Sequence, residues 1–152
     1  MRLPVAFLEC PDTAAAIAEL PSTACADDLT LTGRDLVCRD FRDALGSFPT
    51  GVTVVTALAP DASPIGVTIS SFNSVSLDPP LILWSLSCAS PSLAAFAQAG
   101  HYAINVLAAD QQWISECFAA RENDRFNGVK VSKGLGGVPL IEGCSGWFEC
   151  SN

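Results

Sequence analysis

Three extended runs follow one another between Val52 and Trp84, separated only by short proline-bearing turns. Val52-Thr53-Val54-Val55-Thr56-Ala57-Leu58 is rich in β-branched residues and strand-like. A Pro-, Asp- and Ser-rich turn from Ala59 to Pro64 leads into a second run, Ile65 to Val75, alternating around Val67, Ile69 and Phe72. Asp78-Pro79-Pro80 ends that run, because neither proline can donate to a ladder, and Leu81-Ile82-Leu83-Trp84 reads as a buried strand. The turns are too short for crossover helices. The expected class is therefore mainly β, an antiparallel barrel with peripheral short helices and not a parallel βαβ sheet.

The flanking segments are consistent with that class. Phe41, Ala44, Leu45 and Phe48 fall at i, i+3, i+4 and i+7, which predicts a short helix over 40–48 with Asp40 as N-cap and Pro49 as the stop. Ser90-Pro91-Ser92 predicts a helix start, with Ser90 as N-cap, running to Ala99 and capped by Gly100. His101 to Leu107 reads as a strand. Asp110 is the expected cap of a helix to about residue 119, whose inner face would carry Trp113, Ile114, Cys117 and Phe118. A glycine-rich turn at Gly134 to Gly137 precedes a last strand over Cys144 to Cys150. Residues 1–37, with a possible helix between Pro11 and Pro21, read as a loosely structured leader, and 38–152 as the domain proper.

A chain of 152 residues can bury one core. Its net charge of −8, and the absence of any Lys or Arg from Asp43 to Ala120, speak against a nucleic-acid or anionic-membrane surface. No apolar run approaches the roughly 20 residues of a membrane span. The start, Met1 to Leu8, faintly resembles a signal peptide, but Pro4 interrupts it and Glu9 ends it. Seven scattered cysteines without a Cys-x-x-Cys pair indicate neither a disulfide framework nor a zinc ribbon. Cys144 and Cys150, on one face of one strand, would stand about 20 Å apart. The expectation is free thiols in a reducing cytoplasm.

Standard catalytic constellations are missing: there is no G-x-G-x-x-G, P-loop or G-x-S-x-G elbow. His101 is the only histidine, at a strand entrance, where a structural role is expected and a His-based zinc site is not. What stands out is a run of hydroxyls, Thr68, Ser70, Ser71, Ser74 and Ser76, along one extended stretch. Two readings stay open from the residues alone. The hydroxyls fill the solvent side of a half-exposed sheet, or they line a groove for a planar polar ligand.

A resemblance bears on that choice. Phe48-Pro49-Thr50-Gly51-Val52-Thr53-Val54-Val55-Thr56 and Gly66-Val67-Thr68-Ile69-Ser70-Ser71-Phe72-Asn73-Ser74 through Asp78-Pro79-Pro80 resemble the short-chain flavin reductases, the small partners of two-component flavin monooxygenases. Tyr102 to Leu107, Asp124-Arg125-Phe126, Gly137-Val138-Pro139-Leu140 and Trp147 to Cys150 fit in the same order. The resemblance implies an FMN-binding split β-barrel, antiparallel and Greek-key-like, usually a homodimer. It would reduce FMN or FAD with NADH or NADPH for a partner oxygenase. Carried over by motif, Pro49, Thr50, Gly51 and Val52 would border the flavin. Thr68, Ile69, Ser70, Ser71 and Ser74 would line its ring and ribityl chain. Ser87, Ser90 and Ser92 would face the phosphate, where relatives place a Lys that this sequence lacks, leaving Arg125, beside Phe126, as a candidate. No catalytic acid or base is implied, since the nicotinamide and flavin supply the reactivity. A non-catalytic flavin-binding module and an inactive remnant are the alternatives.

Relatives of this kind continue past Trp147–Cys150 into a Gly-Asp-His motif and further strands. The resemblance thus implies a barrel incomplete at its C-terminal end, with no counterpart to the nicotinamide-side histidine. The edge of the last strand would be open, covered by residues 1–37 or paired with a second subunit. Pro4, Pro11 and Pro21 make the leader a poor strand donor.

Overall fold

The computed structural model describes residues 2–4, 43–120 and 124–152. The chain divides into two compact units, Met1–Leu8 with Gly51–Asn152, and Glu9–Thr50. In the second unit, residues 43–46 form a helical turn (α1), and Leu45 and Phe48 of the expected stripe are exposed. Asp40, Phe41 and the helix expected between Pro11 and Pro21 lie outside the described residues.

The first unit is mainly β. One sheet has the order β1-β9-β6-β2-β3, from β1 (Arg2–Pro4), β9 (Gly146–Ser151), β6 (His101–Val106), β2 (Thr53–Leu58) and β3 (Pro64–Ile69). All its pairings are antiparallel except β1 with β9. That exception corrects one expectation. Despite Pro4, the start of the leader does donate a strand, with Leu3 opposite Cys150. Pro4 closes this short strand at the sheet's edge, a place where proline is tolerated.

Between β3 and β6 the chain leaves the sheet. The extended run expected over Ile65–Val75 is two strands, because the ladder to β2 ends at Ile69 and β4 (Asn73–Leu77) instead pairs with β5 (Pro80–Leu83). A helix α2 (Leu93–Gln98) follows. It begins two residues later than expected. Ser92 is the N-cap and makes no side-chain cap bond, while Ala99 is the C-cap, already extended. Ser90 and Pro91 form the turn before it, with Leu93 N–H donating to the Ser90 carbonyl at 3.1 Å. After β6, a 3₁₀ turn (Ala109–Gln111) leads into α3 (Gln112–Ala119). Asp110, the expected cap, lies inside that turn; Gln111 is the N-cap of α3 and makes no side-chain cap bond, its Oε1 accepting instead from the Ala108 N–H at 3.0 Å. The Gln111 amide also donates to the Glu142 carbonyl at 2.7 Å, fixing the helix entry to the loop ahead of β9. Trp113, expected on the inner face of α3, is 47 % exposed, while Ile114 and Phe118 are buried. A hairpin, β7 (Val131–Lys133) and β8 (Pro139–Ile141), flanks the glycine-rich turn.

Both sheet faces are covered, and strand alternation assigns the residues. One face gathers Val55, Ala57, Tyr102, Ile104 and Cys150 with Trp84 and Phe96. The other gathers Val54 with Ile114, Phe118, Ile141 and Cys144. Cys144 precedes β9 and does not belong to it, so the two cysteines expected on one face lie in different clusters. Both are free thiols, as is Cys117. No helix among the described residues is long and apolar enough to cross a membrane.

Candidate functional site

β3 is an end strand of its sheet, and its backbone pattern follows from the turn before it. The Ala59 N–H donates to the Ser63 carbonyl at 2.9 Å, so that pair is hydrogen-bonded. Antiparallel ladders alternate, which turns Ile65, Val67 and Ile69 toward β2 and leaves the N–H and C=O groups of Gly66 and Thr68 pointing outward. Pro64 falls in an outward slot, where its missing N–H costs nothing.

Two adjoining grooves follow this edge. The larger, about 770 Å³, runs past Pro64 to Thr68 and is walled by Ser90, Pro91 and Ser92 and by Phe118, Arg125 and Phe126. The smaller, about 400 Å³, continues along Val67 to Ser71 and meets Ser85, Leu86 and Ser87. Val67, Thr68 and Ser90 border both. Both volumes fall within the roughly 300–1,000 Å³ of small-molecule sites, and an open strand edge suits a planar ligand with acceptors and donors on its rim.

The wall of the larger groove depends on a missing side chain. A Cβ on Gly66 would stand 2.4 Å from Phe118 Cε1, so only glycine lets the ring lie on the strand. Phe118 meets Phe126 edge-on, with ring centroids 4.8 Å apart and planes at 90°. The Arg125 guanidinium closes the corner, its Nη1 donating to the outward Gly66 carbonyl at 2.8 Å.

Several of the expected hydroxyls are already engaged. Thr68 donates to the Ser115 carbonyl at 2.7 Å, fastening α3 to β3. Ser71 accepts from the Ser85 N–H at 2.9 Å and so links the end of β3 to the end of β5. Ser87 accepts from the Ala89 N–H at 3.2 Å, and Ser90 from the Ser92 N–H at 3.3 Å, each folding the loop on itself. Ser70 and Ser92 have no such partner among the described residues and are open to a ligand.

The structure thus brings Thr68, Ile69, Ser70, Ser71, Ser87, Ser90, Ser92, Arg125 and Phe126 to the two grooves. Ser74 lies on β4 opposite Ile82 and lines neither. Gly51 and Val52 line neither as well, and the Val52 carbonyl accepts from the Leu107 N–H at 3.3 Å. Pro49 and Thr50 belong to the other unit. Gly66, Phe118, Ser85 and Leu86 were not anticipated. The signal available for Gly66 was a glycine inside a strand pattern, which marks close approach of a neighbour. His101 stands at the start of β6, away from the grooves, beneath Gly136. That glycine has φ +63°, and a Cβ there would lie 2.3 Å from His101 Cδ2.

Known proteins share this sequence and fold. The chain is 49 % identical over 113 residues to the reductase component of a flavin-dependent trigonelline monooxygenase from Acinetobacter baylyi, covering 74 % of this chain and 36 % of that protein. It is 51 % identical over 112 residues to the FMN reductase (NADH) SmoA of Agrobacterium fabrum, covering 74 % and 63 %. Among solved structures, the NADH:FAD oxidoreductase SgcE6 of Streptomyces globisporus, in complex with NAD and FAD fragments, superposes with a TM-score of 0.70. It is 35 % identical, with 82 % of this chain and 73 % of that one covered. The chain therefore spans about one third to two thirds of the length of these two curated relatives. Residues 45–151 match the family described as flavin reductase like domain, and the chain belongs to that family.

Proposed function

We propose that this chain is the flavin-binding part of an NAD(P)H-dependent flavin reductase that supplies reduced FMN or FAD to a partner monooxygenase. The observation that carries the reading is the convergence of nine motif residues on two grooves along the open edge of β3. The named activities of the relatives support it: an FMN reductase using NADH and the reductase component of a monooxygenase. The residues present suit such a ligand. Outward backbone groups of Gly66 and Thr68 can meet the polar rim of a flat ring, Ile69 and Leu86 supply apolar contact, and Ser70 and Ser92 have open hydroxyls.

When bound, the flavin accepts hydride from a nicotinamide and carries the redox chemistry. What these residues contribute is orientation and exclusion of water, and hydride transfer needs rings held about 3–3.5 Å apart. We further read the domain as extending from about residue 38, as an FMN-binding split barrel, and as working as a homodimer in the cytoplasm.

The test is spectroscopic. Purified protein should quench the fluorescence of added FMN or FAD, and a stoichiometric complex should bleach in the visible with NADH or NADPH. Replacing Ser70 and Ser71 together by Leu should abolish the quenching while the far-ultraviolet circular dichroism stays native. Unchanged flavin affinity in that variant would move the site elsewhere.

A further inference from the structure

Resting on that flavin-site reading, we propose that Ser71 is a positioning residue: its hydroxyl clasps the Ser85 main chain and so fixes the wall of residues 85–87 beside the ligand, without touching the ligand itself. The ladder between β4 and β5 pairs Ser74 with Ile82 and Asn73 with Leu83, and it stops there. Carried two residues further, the same register sets Ser71 opposite Ser85, but no main-chain bond joins them. The Ser71 side chain makes both bonds instead. Its Oγ accepts from the Ser85 N–H at 2.9 Å and donates to the Ser85 carbonyl at 3.3 Å. One hydroxyl thus replaces a hydrogen-bonded strand pair. Beyond it the smaller groove opens, with Ile69, Ser70 and Ser71 on one side and Ser85, Leu86 and Ser87 on the other.

The two clasped segments are rooted in the core beneath. Phe72 packs on Phe148 with ring centroids 5.2 Å apart, and Trp84 meets Phe96 at 5.4 Å in the same cluster. With Phe72 and Trp84 turned inward, alternation turns Ser71 and Ser85 outward, where both are exposed. The two adjacent serines therefore differ. The Ser70 hydroxyl has no partner among the described residues, whereas the single donor of Ser71 and one of its lone pairs are spent on Ser85. What Ser71 gives the site is the place of the 85–87 wall. A ring that must stand about 3–3.5 Å from its reaction partner is sensitive to a shift of that wall. A ligand in the groove also shields both bonds from water, so binding and the clasp strengthen one another.

Ser71→Thr keeps the hydroxyl and Ser71→Val has the same shape without it, so this pair of variants isolates the two bonds. In Ser71→Val, FMN affinity measured by fluorescence quenching should fall about tenfold, the size of two lost hydrogen bonds. Ser71→Thr should stay within about twofold of wild type. The second readout needs no flavin. Followed by NMR in the ligand-free protein, the Ser85 amide should exchange faster in Ser71→Val and at the wild-type rate in Ser71→Thr. Melting temperatures of both variants should stay near wild type, since exposed bonds of this kind open locally without global unfolding. Equal FMN affinity in the Thr and Val variants overturns the proposal. Weakened binding in Ser71→Val with an unchanged Ser85 amide also overturns it, by making the hydroxyl a direct ligand contact. A faster Ser85 amide with unchanged affinity overturns it too, leaving a clasp that positions nothing. Should wild type bind no flavin, the underlying site reading fails and the proposal with it, while the Ser85 amide still reports whether the clasp exists.

Discussion

The two faces of the central sheet are held by different physics. On one, Trp84, Phe96 and Tyr102 meet at centroid distances of 5.4 to 6.1 Å over Val55 and Ile104. The Tyr102 hydroxyl, donating to the Phe96 carbonyl, is the polar exception in that group. On the other face the apolar set is smaller, and Thr56 and Asn105 are fully buried beside it. Asn105 donates to the Val54 carbonyl at 2.9 Å and to Thr56 Oγ1 at 3.0 Å, and its Oδ1 accepts from the Ile141 N–H at 2.7 Å. Thr56 in turn donates to the Pro139 carbonyl at 2.5 Å. Area holds the first face. Directional bonds set where β8 sits on the second, and the candidate site draws Gly66, Phe118 and Thr68 from that second face.

Truncating each side should expose the difference. Phe96→Ala opens a cavity in the apolar face and should cost about 4 kcal/mol in chemical denaturation, without a defined new polar defect. Asn105→Leu keeps similar volume but strands the buried Ile141 N–H and removes a donor from the Val54 carbonyl and from Thr56 Oγ1, which still donates to Pro139. A cost of about 3 kcal/mol is expected from the orphaned N–H and the lost bonds. Amide exchange should separate the two: Ile141 should lose protection selectively in Asn105→Leu and not in Phe96→Ala. If Asn105→Leu is neutral, the directional account of the second face fails.

Gly66→Ala should cost about 2 kcal/mol, since the added methyl collides with the Phe118 ring and the wall must shift. Adding Phe118→Leu should recover part of that loss. Additive costs in the double variant would mean that the contact is not the cause.

Sequence carried the first face further than the second. β-branched and aromatic alternation placed Val52–Leu58 and His101–Leu107, because a buried strand face writes itself in period two. The break after Ile69 shows in the sequence only as a change of parity, with Phe72 falling off the Val67–Ile69 alternation where the backbone changes partners. Trp113 was misplaced because a hydrophobic stripe does not say how wide the covered face is; α3 buries only Ile114 and Phe118. In the site, the hydroxyl cluster was legible as residue types but not as bonds. Thr68 and Ser71 turned out to hold elements together, through Ser115 and Ser85, and that depends on which backbones come alongside. Asn105 gave no sign of its role, because an asparagine in a strand reads as exposed until its three partners are known.

The smallest effect at neutral pH, and the one that grows with alkali, separates the two faces through their thiols. Burial pushes the Cys150 thiol, on the aromatic face, up to about 12, with the Glu149 charge adding to it. Burial pushes Cys144, on the other face, up to about 11. Tyr102 is raised to about 12 by the same cause. Each group holds its proton more tightly folded than unfolded, so the unfolded chain releases protons first as pH rises. The stabilisation is complete below the ordinary thiol value of 9 and is lost progressively between about 9 and 12. The urea midpoint should therefore fall steadily from pH 8.5 upward, by about the amount of a modest core defect. Alkylation of the folded protein, mapped by mass spectrometry, should modify Cys144 before Cys150, because a lower thiol value gives more thiolate at any given pH. A midpoint that is flat to pH 11, or Cys150 reacting first, would show that the aromatic face is the more open of the two.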